Sequence, residues 1–273
     1  MSEALAVYHG RFGRACLYRL DRPMPVHVHR EAHLALHVRG HSCGITVSQK
    51  PQRVCAKNVI CINSWEPHNF EVSDPNAGHL VLILYIDPGW FVRYSGSEIH
   101  FGHTAIEASP LILNGAQRIV ALMRKSTPVD RFDGALFDLI AECVETSQVP
   151  GRSPVAGNMQ AVDTRISRSL ELMTTTFRSE ALVYDVAKDV GLSRPHFFEL
   201  FRKQTGITPN QFRNTLRMEY AIELLTNSDQ NVTKIGLNLG FSSPSSFSRF
   251  FSAYVGVAPT MYREVVRWVS QDK

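Results

Sequence analysis

The sequence predicts an α+β protein of two domains: an N-terminal β-barrel with flanking helices, and a C-terminal all-α domain with two helix-turn-helix motifs joined by a long helix. Three observations support this fold class. Short apolar runs separated by turn residues fill the first 108 residues, a stretch rich in proline, glycine and serine follows residue 147, and one set of residue spacings occurs twice in the last third. The predicted boundaries are 1–147 for the barrel domain, 148–160 for a linker and 161–267 for the helical domain.

Composition limits the class of protein. A chain of 273 residues with 44% apolar residues can bury a substantial core in each of two domains. No signal-peptide pattern opens the chain, and the longest apolar run, residues 80–86, is far too short to span a bilayer. The five cysteines form no paired framework, which indicates reduced thiols. We therefore expect a cytoplasmic protein with no membrane partner.

The barrel domain is predicted from its strands and the helices that follow. Residues 80–86 have the composition of a buried strand, and Gly40 and residues 87–89 break the apolar runs around it. Two amphipathic helices come next, with apolar stripes that begin at Ile119 and Leu136. Those stripes can pack on the barrel, on a second subunit, or on both.

Histidines are concentrated in the barrel domain, where ten of the eleven in the chain occur. Even numbers of positions separate His27, His29 and His33. Because side chains alternate between the two faces of a strand, these three would project from one face of a single strand. Residues 25–40 resemble the first cupin motif, in which His-x-His is followed by an acid and then by glycine, but His33 replaces the acid. His68 resembles the second cupin histidine. The resemblance implies a cupin-like barrel.

Three interpretations of these histidines stay open. His27, His29, His33 and His68 can hold a divalent metal ion, since imidazole is a common ligand of transition metals. They can instead line a pocket for an organic ligand, or cover a solvated face of the sheet. In the pocket interpretation, we expect the aromatic walls to be provided by Trp65 and Tyr85, for which core packing is the alternative. No feature of the sequence requires a cofactor. A divalent metal ion in the barrel is expected only if the metal interpretation of the histidines holds.

Each copy of the repeated pattern is predicted to form a helix-turn-helix. Small residues at 187 and 236 let two helices approach closely, and glycines at 191 and 240 allow the turn between them. Ser193 and Ser243 stand at N-cap positions, with a proline in the first turn that follows. The second helices are predicted over 194–204 and 244–254.

A long helix is predicted between the two motifs. It begins at Pro209 and runs to about Leu225, with apolar residues recurring every four positions. At 1.5 Å per residue it spans roughly 25 Å, so it can hold two helices near adjacent major grooves, which lie ~34 Å apart.

These positions resemble the AraC/XylS family of bacterial transcription regulators over residues 162–263. The resemblance rests on motifs in both copies, chiefly Gly206-x-Thr208-Pro209, Phe247-Ser248-Arg249-x-Phe251 and Gly256-x-x-Pro259-x-x-Tyr262-Arg263. Three positions depart from the family pattern, which commonly has alanine, aspartate and lysine at the places of Gly236, Ser243 and Ser252.

The resemblance implies a sequence-specific DNA-binding transcription regulator that is not an enzyme. It further implies activation of transcription, control by a small-molecule ligand of the barrel, a homodimer, and promoter DNA and RNA polymerase as partners. Two alternatives remain: a cupin-type metal enzyme fused to a DNA-binding domain, and a constitutive regulator whose barrel serves only dimerisation.

The residues predicted to contact DNA lie mostly at the start of the second helix of each motif. They are Arg194, Pro195, His196, Phe198, Glu199 and Arg202 in the first motif, and Pro244, Ser245, Ser246 and Arg249 in the second. Arg249 is the foremost of them, because its guanidinium can bind guanine O6 and N7 or a phosphate.

Overall fold

The computed structural model describes residues 2–72, 74, 78–123, 129–149, 163–178 and 183–268. Contacts between Cα atoms divide the chain into two units, one made of Met1–Pro154 with Val255–Lys273 and the other of Val155–Tyr254. Most of the predicted linker, 148–160, lies outside the described residues. The predicted domain boundaries stay predictions.

The first unit is built on eleven strands in the described part of the chain. They are β1 (Glu3–Gly10), β2 (Gly13–Leu20), β3 (Met24–His27), β4 (Ala32–Arg39), β5 (Cys43–Val47), β6 (Lys50–Val54), β7 (Asn58–Ile62), β8 (His68–Glu71), β9 (His79–Ile86), β10 (Ala105–Glu107) and β11 (Val266–Trp268). One sheet has the order β10-β7-β4-β9-β2-β1-β11, and the other the order β3-β8-β5-β6. Strand β11 pairs with β1 in parallel, and the other pairs are antiparallel.

Helices cover the larger sheet. The helices of the first unit are α1 (Pro88–Ser95), α2 (Pro110–Met123), α3 (Val129–Ser147) and α10 (Pro259–Val265). Ile119 and Leu136, from the two predicted apolar stripes, are both fully buried in one core with Leu34 and Leu84 of the central strands. The stripes of α2 and α3 therefore pack on the sheet. The predicted N-terminal β-domain with flanking helices is confirmed, its strands form two sheets, and its cupin-like character stays a prediction.

The second unit is all-helical in its described residues. Its helices are α4 (Thr164–Thr176), α5 (Val183–Asp189), α6 (Arg194–Thr205), α7 (Pro209–Asn227), α8 (Val232–Asn238) and α9 (Pro244–Val255). Helices α6, α7 and α9 begin at the predicted residues. Gly191 and Gly240 have φ values of 72° and 74°, which a side chain would disfavour, so each glycine makes the turn that was predicted from its position.

Side-chain hydrogen bonds cap the starts of α7 and α9. The backbone N–H of Ser246 donates to the Ser243 hydroxyl at 3.2 Å, so Ser243 caps α9 as predicted. Ser193 occupies the N-cap of α6 without a hydrogen bond from its side chain to that helix. Thr208 and Gln211 form a capping box at the start of α7, with Pro209 in its first turn.

The end of the chain packs on its beginning. Tyr262 of α10 is fully buried, and its hydroxyl lies 2.8 Å from Nε2 of His9 in β1. Burial, and then the nearby charge of Arg14, lower the pKa of His9 to about 3. No helix of the described residues combines the length and apolar composition that crossing a membrane requires.

Replacing His9 by glutamine is expected to weaken the dependence of stability on pH. The pKa of His9 is lower in the folded protein than its ordinary value of 6.5, so the unfolded chain binds more protons and stability falls as pH drops below about 6.5. Between pH 7 and pH 5 this contribution is about 2 kcal/mol. Urea unfolding at both pH values measures it. The same substitution at the exposed His103 should leave the dependence unchanged; an equal effect at both sites would contradict the assignment to His9.

Candidate functional site

Two regions bring together residues that can bind other molecules: a histidine cluster inside the first unit and a pair of exposed helix starts in the second. In the cluster, His27 at the end of β3 pairs with His68 at the start of β8. His29 lies in the connection after β3, and His33 lies in β4 of the larger sheet. All four side chains are buried, with exposed fractions of 3% or 4%.

This arrangement corrects the expectation of a single strand. Residues 28–31 connect two strands that belong to different sheets, so His27 and His33 approach each other across the interior. His37 does not join them; its Nε2 lies 2.9 Å from the carbonyl oxygen of Gly40. The solvated-face interpretation is therefore wrong for the four buried histidines.

The rings of the cluster are in mutual contact. Ring centroids are 4.3 Å apart for His27 and His68, 4.9 Å for His27 and His29, and 4.5 Å for His33 and His68. One ring nitrogen from each of His27, His29 and His68 lies within 4.8 Å of the other two. The structure thus brings three of the four predicted residues close enough together that they could hold a metal ion after small ring movements, with His33 beside them.

Hydrogen bonds orient two of these rings. Nδ1 of His27 lies 2.7 Å from the carbonyl oxygen of Pro25, and Nδ1 of His68 lies 2.8 Å from that of Glu66. A carbonyl oxygen only accepts, so each Nδ1 carries the hydrogen and each Nε2 presents a lone pair when the ring is neutral.

Burial keeps the rings neutral. It lowers the pKa of His27 to about 4 and that of His33 to about 3, with His27 and Arg14 adding to the effect at His33. Burial, followed by the neighbouring histidines, also holds the pKa values of His29 and His68 well below the ordinary value. The lone pairs are therefore available at neutral pH.

The space beside the cluster is small. A cavity of about 20 Å³ is lined by His27, His33, His68 and Tyr85, among others. Pockets for organic ligands measure roughly 300–1,000 Å³, whereas one water molecule needs about 10–15 Å³. A larger cavity of about 550 Å³ lies elsewhere in the first unit, between α2 and the end of β4 that carries His37.

The two predicted aromatic walls differ in position. Tyr85 is buried, and its ring centroid lies 5.0 Å from that of His29 and 5.3 Å from that of His33. Trp65 is only half-buried and has a φ of 62°; its backbone N–H donates to the carbonyl of His29 at 2.7 Å. Tyr85 therefore packs on the cluster, and Trp65 is tied to it through the backbone.

The sequence interpretation missed Arg14. Its side chain is buried, its guanidinium carbon lies 3.9 Å from the centre of the Tyr85 ring, and Nη2 is 3.6 Å from a carboxylate oxygen of Glu31. Strand β2 carries two arginines, Arg14 and Arg19, and no local feature of the sequence distinguishes the buried Arg14 from the exposed Arg19. Arg14 places a cation behind the aromatic ring that contacts the histidines.

The predicted DNA-contacting residues of the first motif lie at the start of α6. Arg194, Pro195, His196, Glu199 and Arg202 are all exposed. Phe198 is half-buried against Phe197, and the Arg194 guanidinium lies 5.7 Å from the centre of its ring. Phe198 therefore supports Arg194, and the other side chains point into solvent.

The second motif presents a similar surface on α9. Pro244, Ser245 and Arg249 are exposed. Ser246 is half-buried, and its hydroxyl lies 2.9 Å from that of Ser243, so it takes part in the cap. Within the described part of the chain no ion pair involves Arg249, whose charge remains available to a partner.

Buried phenylalanines hold both helices in place. Phe197 and Phe201 of α6 and Phe247 and Phe251 of α9 have no exposed surface. Each pair lies on the inner face of its helix, four residues apart, so the positions between them face outward.

Comparison with known proteins agrees with this geometry. Residues 186–264 match a family model described as a helix-turn-helix domain. The lactose operon transcription activator of Staphylococcus xylosus is 25% identical over 152 residues, which are 56% of this chain and 54% of that protein. The MmsAB operon regulatory protein of Pseudomonas aeruginosa is 42% identical over 76 residues, 28% of this chain and 25% of that protein.

Residues 186–264 form an AraC-type helix-turn-helix domain. The chain spans about half or less of the length of these curated relatives. A structure of ToxT from Vibrio cholerae with a bound unsaturated fatty acid has a TM-score of 0.57 at 14% identity, and the match covers 92% of this chain and 94% of that one. The fold is thus shared over both units.

The AraC-type domain has further exposed cations. Lys188 of α5 and Lys234 of α8 lie on the first helices of the two motifs and are exposed. The sequence pattern does not predict either of them as a DNA contact, because it indicates the second helices. Arg217 is different: its Nε donates to the carbonyl of Phe177 at 3.0 Å, and it packs over Phe241, so it stabilises the domain.

Proposed function

We propose that this protein is a transcription regulator that binds promoter DNA in a sequence-specific manner through its AraC-type domain and responds to a small ligand of its N-terminal unit. The observation that carries the proposal is the pair of exposed helix starts, each fixed by two fully buried phenylalanines. Relatives named as an operon activator and an operon regulatory protein support it.

The geometry of the domain suits adjacent major grooves. The N-terminal residues of α6 and α9 contact base edges, and the capped helix α7 joins the two motifs. Its 19 residues span roughly 28 Å, close to the ~34 Å of one turn of DNA. The exposed Arg194, Arg202 and Arg249 supply charge for phosphates or guanines.

Partners and location are part of the same proposal. We propose that the protein activates transcription together with RNA polymerase, acts as a homodimer and works in the cytoplasm, where promoter DNA is found. The relative from Staphylococcus xylosus, which is named as an activator, supports the direction of regulation.

We also propose that the protein is not an enzyme. A cupin-type enzyme must hold a substrate next to its metal, and the cavity beside His27, His33 and His68 has a volume of only about 20 Å³. The relatives reported above are regulators.

Replacing Arg249 by alanine is expected to weaken DNA binding by about 1–3 kcal/mol, or roughly 5- to 150-fold, because the exposed guanidinium on α9 binds a base or phosphate. DNA sites are first selected from a random library with the unaltered protein, and affinities for them are then measured at several salt concentrations. Arg19→Ala removes the same charge from an exposed position in the first unit and should have no effect. Equal affinities for the parent and Arg249→Ala would contradict the assigned role. Failure of the parent protein to select any DNA would reject the proposed function.

A further inference from the structure

We propose that the histidine cluster binds one divalent transition-metal ion, with His27, His29 and His68 as ligands and His33 at a fourth position, and that this ion is the ligand to which the regulator responds. The second half of the proposal rests on the proposed function; the first half does not. The chemical class is an ion that prefers nitrogen ligands, such as Zn²⁺, Co²⁺ or Ni²⁺.

The three donors come from two stretches of the chain, one that carries His27 and His29 and one that carries His68. His27 and His68 face each other on neighbouring strands, and His29 reaches them from the loop after β3. A ring nitrogen from each of the three lies within 4.8 Å of the others. Ligand nitrogens around a bound zinc ion lie closer together, at about 3.3 Å for bonds of about 2.0 Å in tetrahedral geometry, so small ring movements complete the site.

Two of the donors are already oriented as metal ligands usually are. The backbone carbonyls of Pro25 and Glu66 accept from Nδ1 of His27 and His68, which directs Nε2 away from them as the donor atom. Metal-bound histidines commonly give their second N–H to such an acceptor, which fixes both the tautomer and the ring.

His29 provides an independent observation. Both of its ring nitrogens are buried, and among the described residues neither has a hydrogen-bond partner. Nδ1 of His33 is likewise buried and has no hydrogen-bond partner among the described residues. Burying a polar group without a partner is unfavourable, and a metal ion would supply a partner for one nitrogen of each ring.

The size of the site favours an ion over an organic ligand. The cavity that His27, His33 and His68 line, next to His29, has a volume of about 20 Å³ and admits one ion or one water molecule. Mg²⁺ and Ca²⁺ require oxygen ligands, which the cluster does not provide, whereas imidazole suits Zn²⁺, Co²⁺, Ni²⁺ and Cu²⁺.

The position of the cluster gives the ion a means of control. His27 and His68 belong to the four-stranded sheet and His33 to the seven-stranded sheet, so an ion bound to all of them joins the two sheets. An ion that binds only the folded arrangement stabilises it, which biases the unit toward one conformation.

The test uses the full chain without an affinity tag, stripped of metal with a chelator. Co²⁺ is titrated while its visible absorption is recorded, Zn²⁺ is titrated while the thermal midpoint is recorded, and Mg²⁺ serves as a control. We expect one equivalent of Co²⁺ in a site of low coordination number, a rise in the midpoint with Zn²⁺ and no response to Mg²⁺. Absence of stoichiometric Co²⁺ or Zn²⁺ binding would overturn the site.

Variants assign the ligands. His68→Gln and His29→Gln should each weaken Co²⁺ binding at least 10-fold, while His37→Gln, which changes a histidine at the outer end of β4, should not. Thermal unfolding without metal shows whether each variant is folded. If the folded variants bind Co²⁺ as tightly as the parent, the assignment is wrong.

Control of DNA binding is measured separately, as the affinity of the stripped and the Zn²⁺-loaded protein for DNA selected from a random library. We expect at least a 10-fold difference between the two states. Stoichiometric metal with equal affinities would reject the regulatory half and retain the site. Stoichiometric metal with no DNA binding in either state would reject the proposed function, and with it the regulatory half, while the site stands.

Discussion

Replacing Phe247 by alanine is expected to destabilise the AraC-type domain by about 4 kcal/mol and to abolish DNA binding at ordinary protein concentrations. Phe247 has no exposed surface, and its ring contacts those of Phe241 and Phe251 at centroid distances of 5.5 Å and 6.0 Å. The two helices are also close together here: a Cβ added to Gly236 would lie only 2.8 Å from the Cβ of Phe247. Removing the ring leaves a cavity where α8 and α9 meet, and neither helix can close it without losing its position.

Urea unfolding of the full chain, followed by circular dichroism, measures this loss. Phe197→Ala, the same change at the corresponding position of the first motif, should have a similar effect because Phe197 is equally buried. Ser245→Ala changes an exposed residue two positions before Phe247 and should alter stability by no more than about 0.5 kcal/mol. A Phe247→Ala protein as stable as Ser245→Ala would show that the ring is not part of the domain core.

Replacing Gly13 by alanine is expected to destabilise the first unit by about 3 kcal/mol. Gly13 begins β2 with a φ of 113°, and an added Cβ would lie 2.3 Å from the carbonyl oxygen of Tyr85. Because the carbonyl belongs to the backbone of β9, the steric overlap can be removed only by separating β2 from β9. These two strands pair along their whole length. Both strain and steric overlap therefore oppose the substitution.

Gly96→Ala is the matched control. Gly96 ends α1 with a φ of 72°, but an added Cβ there would have nothing within 4 Å. Gly96→Ala should therefore lower the free energy of unfolding by only about 1 kcal/mol, the cost of placing alanine in the left-handed conformation. The difference between the two variants, measured by thermal and urea unfolding, isolates the overlap with Tyr85; equal losses would show that the strand pair adjusts freely.

The second helices of both motifs were predictable because their signals are local. Glycine makes the turn, proline stands in the first turn of each helix, and serine occupies each N-cap position, although only Ser243 makes the capping hydrogen bond. The structure places α6 and α9 within one residue of the predicted ends. The histidine cluster was only partly predictable. Its members were identified, but the break at residues 28–31 depends on how two sheets face each other, which no neighbouring residue encodes.

Arg14 shows a second limit. In a strand with one solvated side, a charged residue is expected to point outward, yet Arg14 is buried with Tyr85 and Glu31. Its burial is decided by partners that lie 71 and 17 residues away along the chain. Only the assembled sheet brings them to it.

The pairing of β11 with β1 has a consequence for the order of folding. Val266 lies opposite Val7, so the edge of the seven-stranded sheet is completed by residues near the end of the chain. During synthesis, the N-terminal residues leave the ribosome first, and β1 must wait with one side unpaired until the whole helical domain has been made. Closing so long a loop is slow relative to local helix formation. The last strand therefore joins only after all the residues between β1 and β11 have been made, and a chain that lacked β11 would leave an exposed strand edge on which other chains can aggregate.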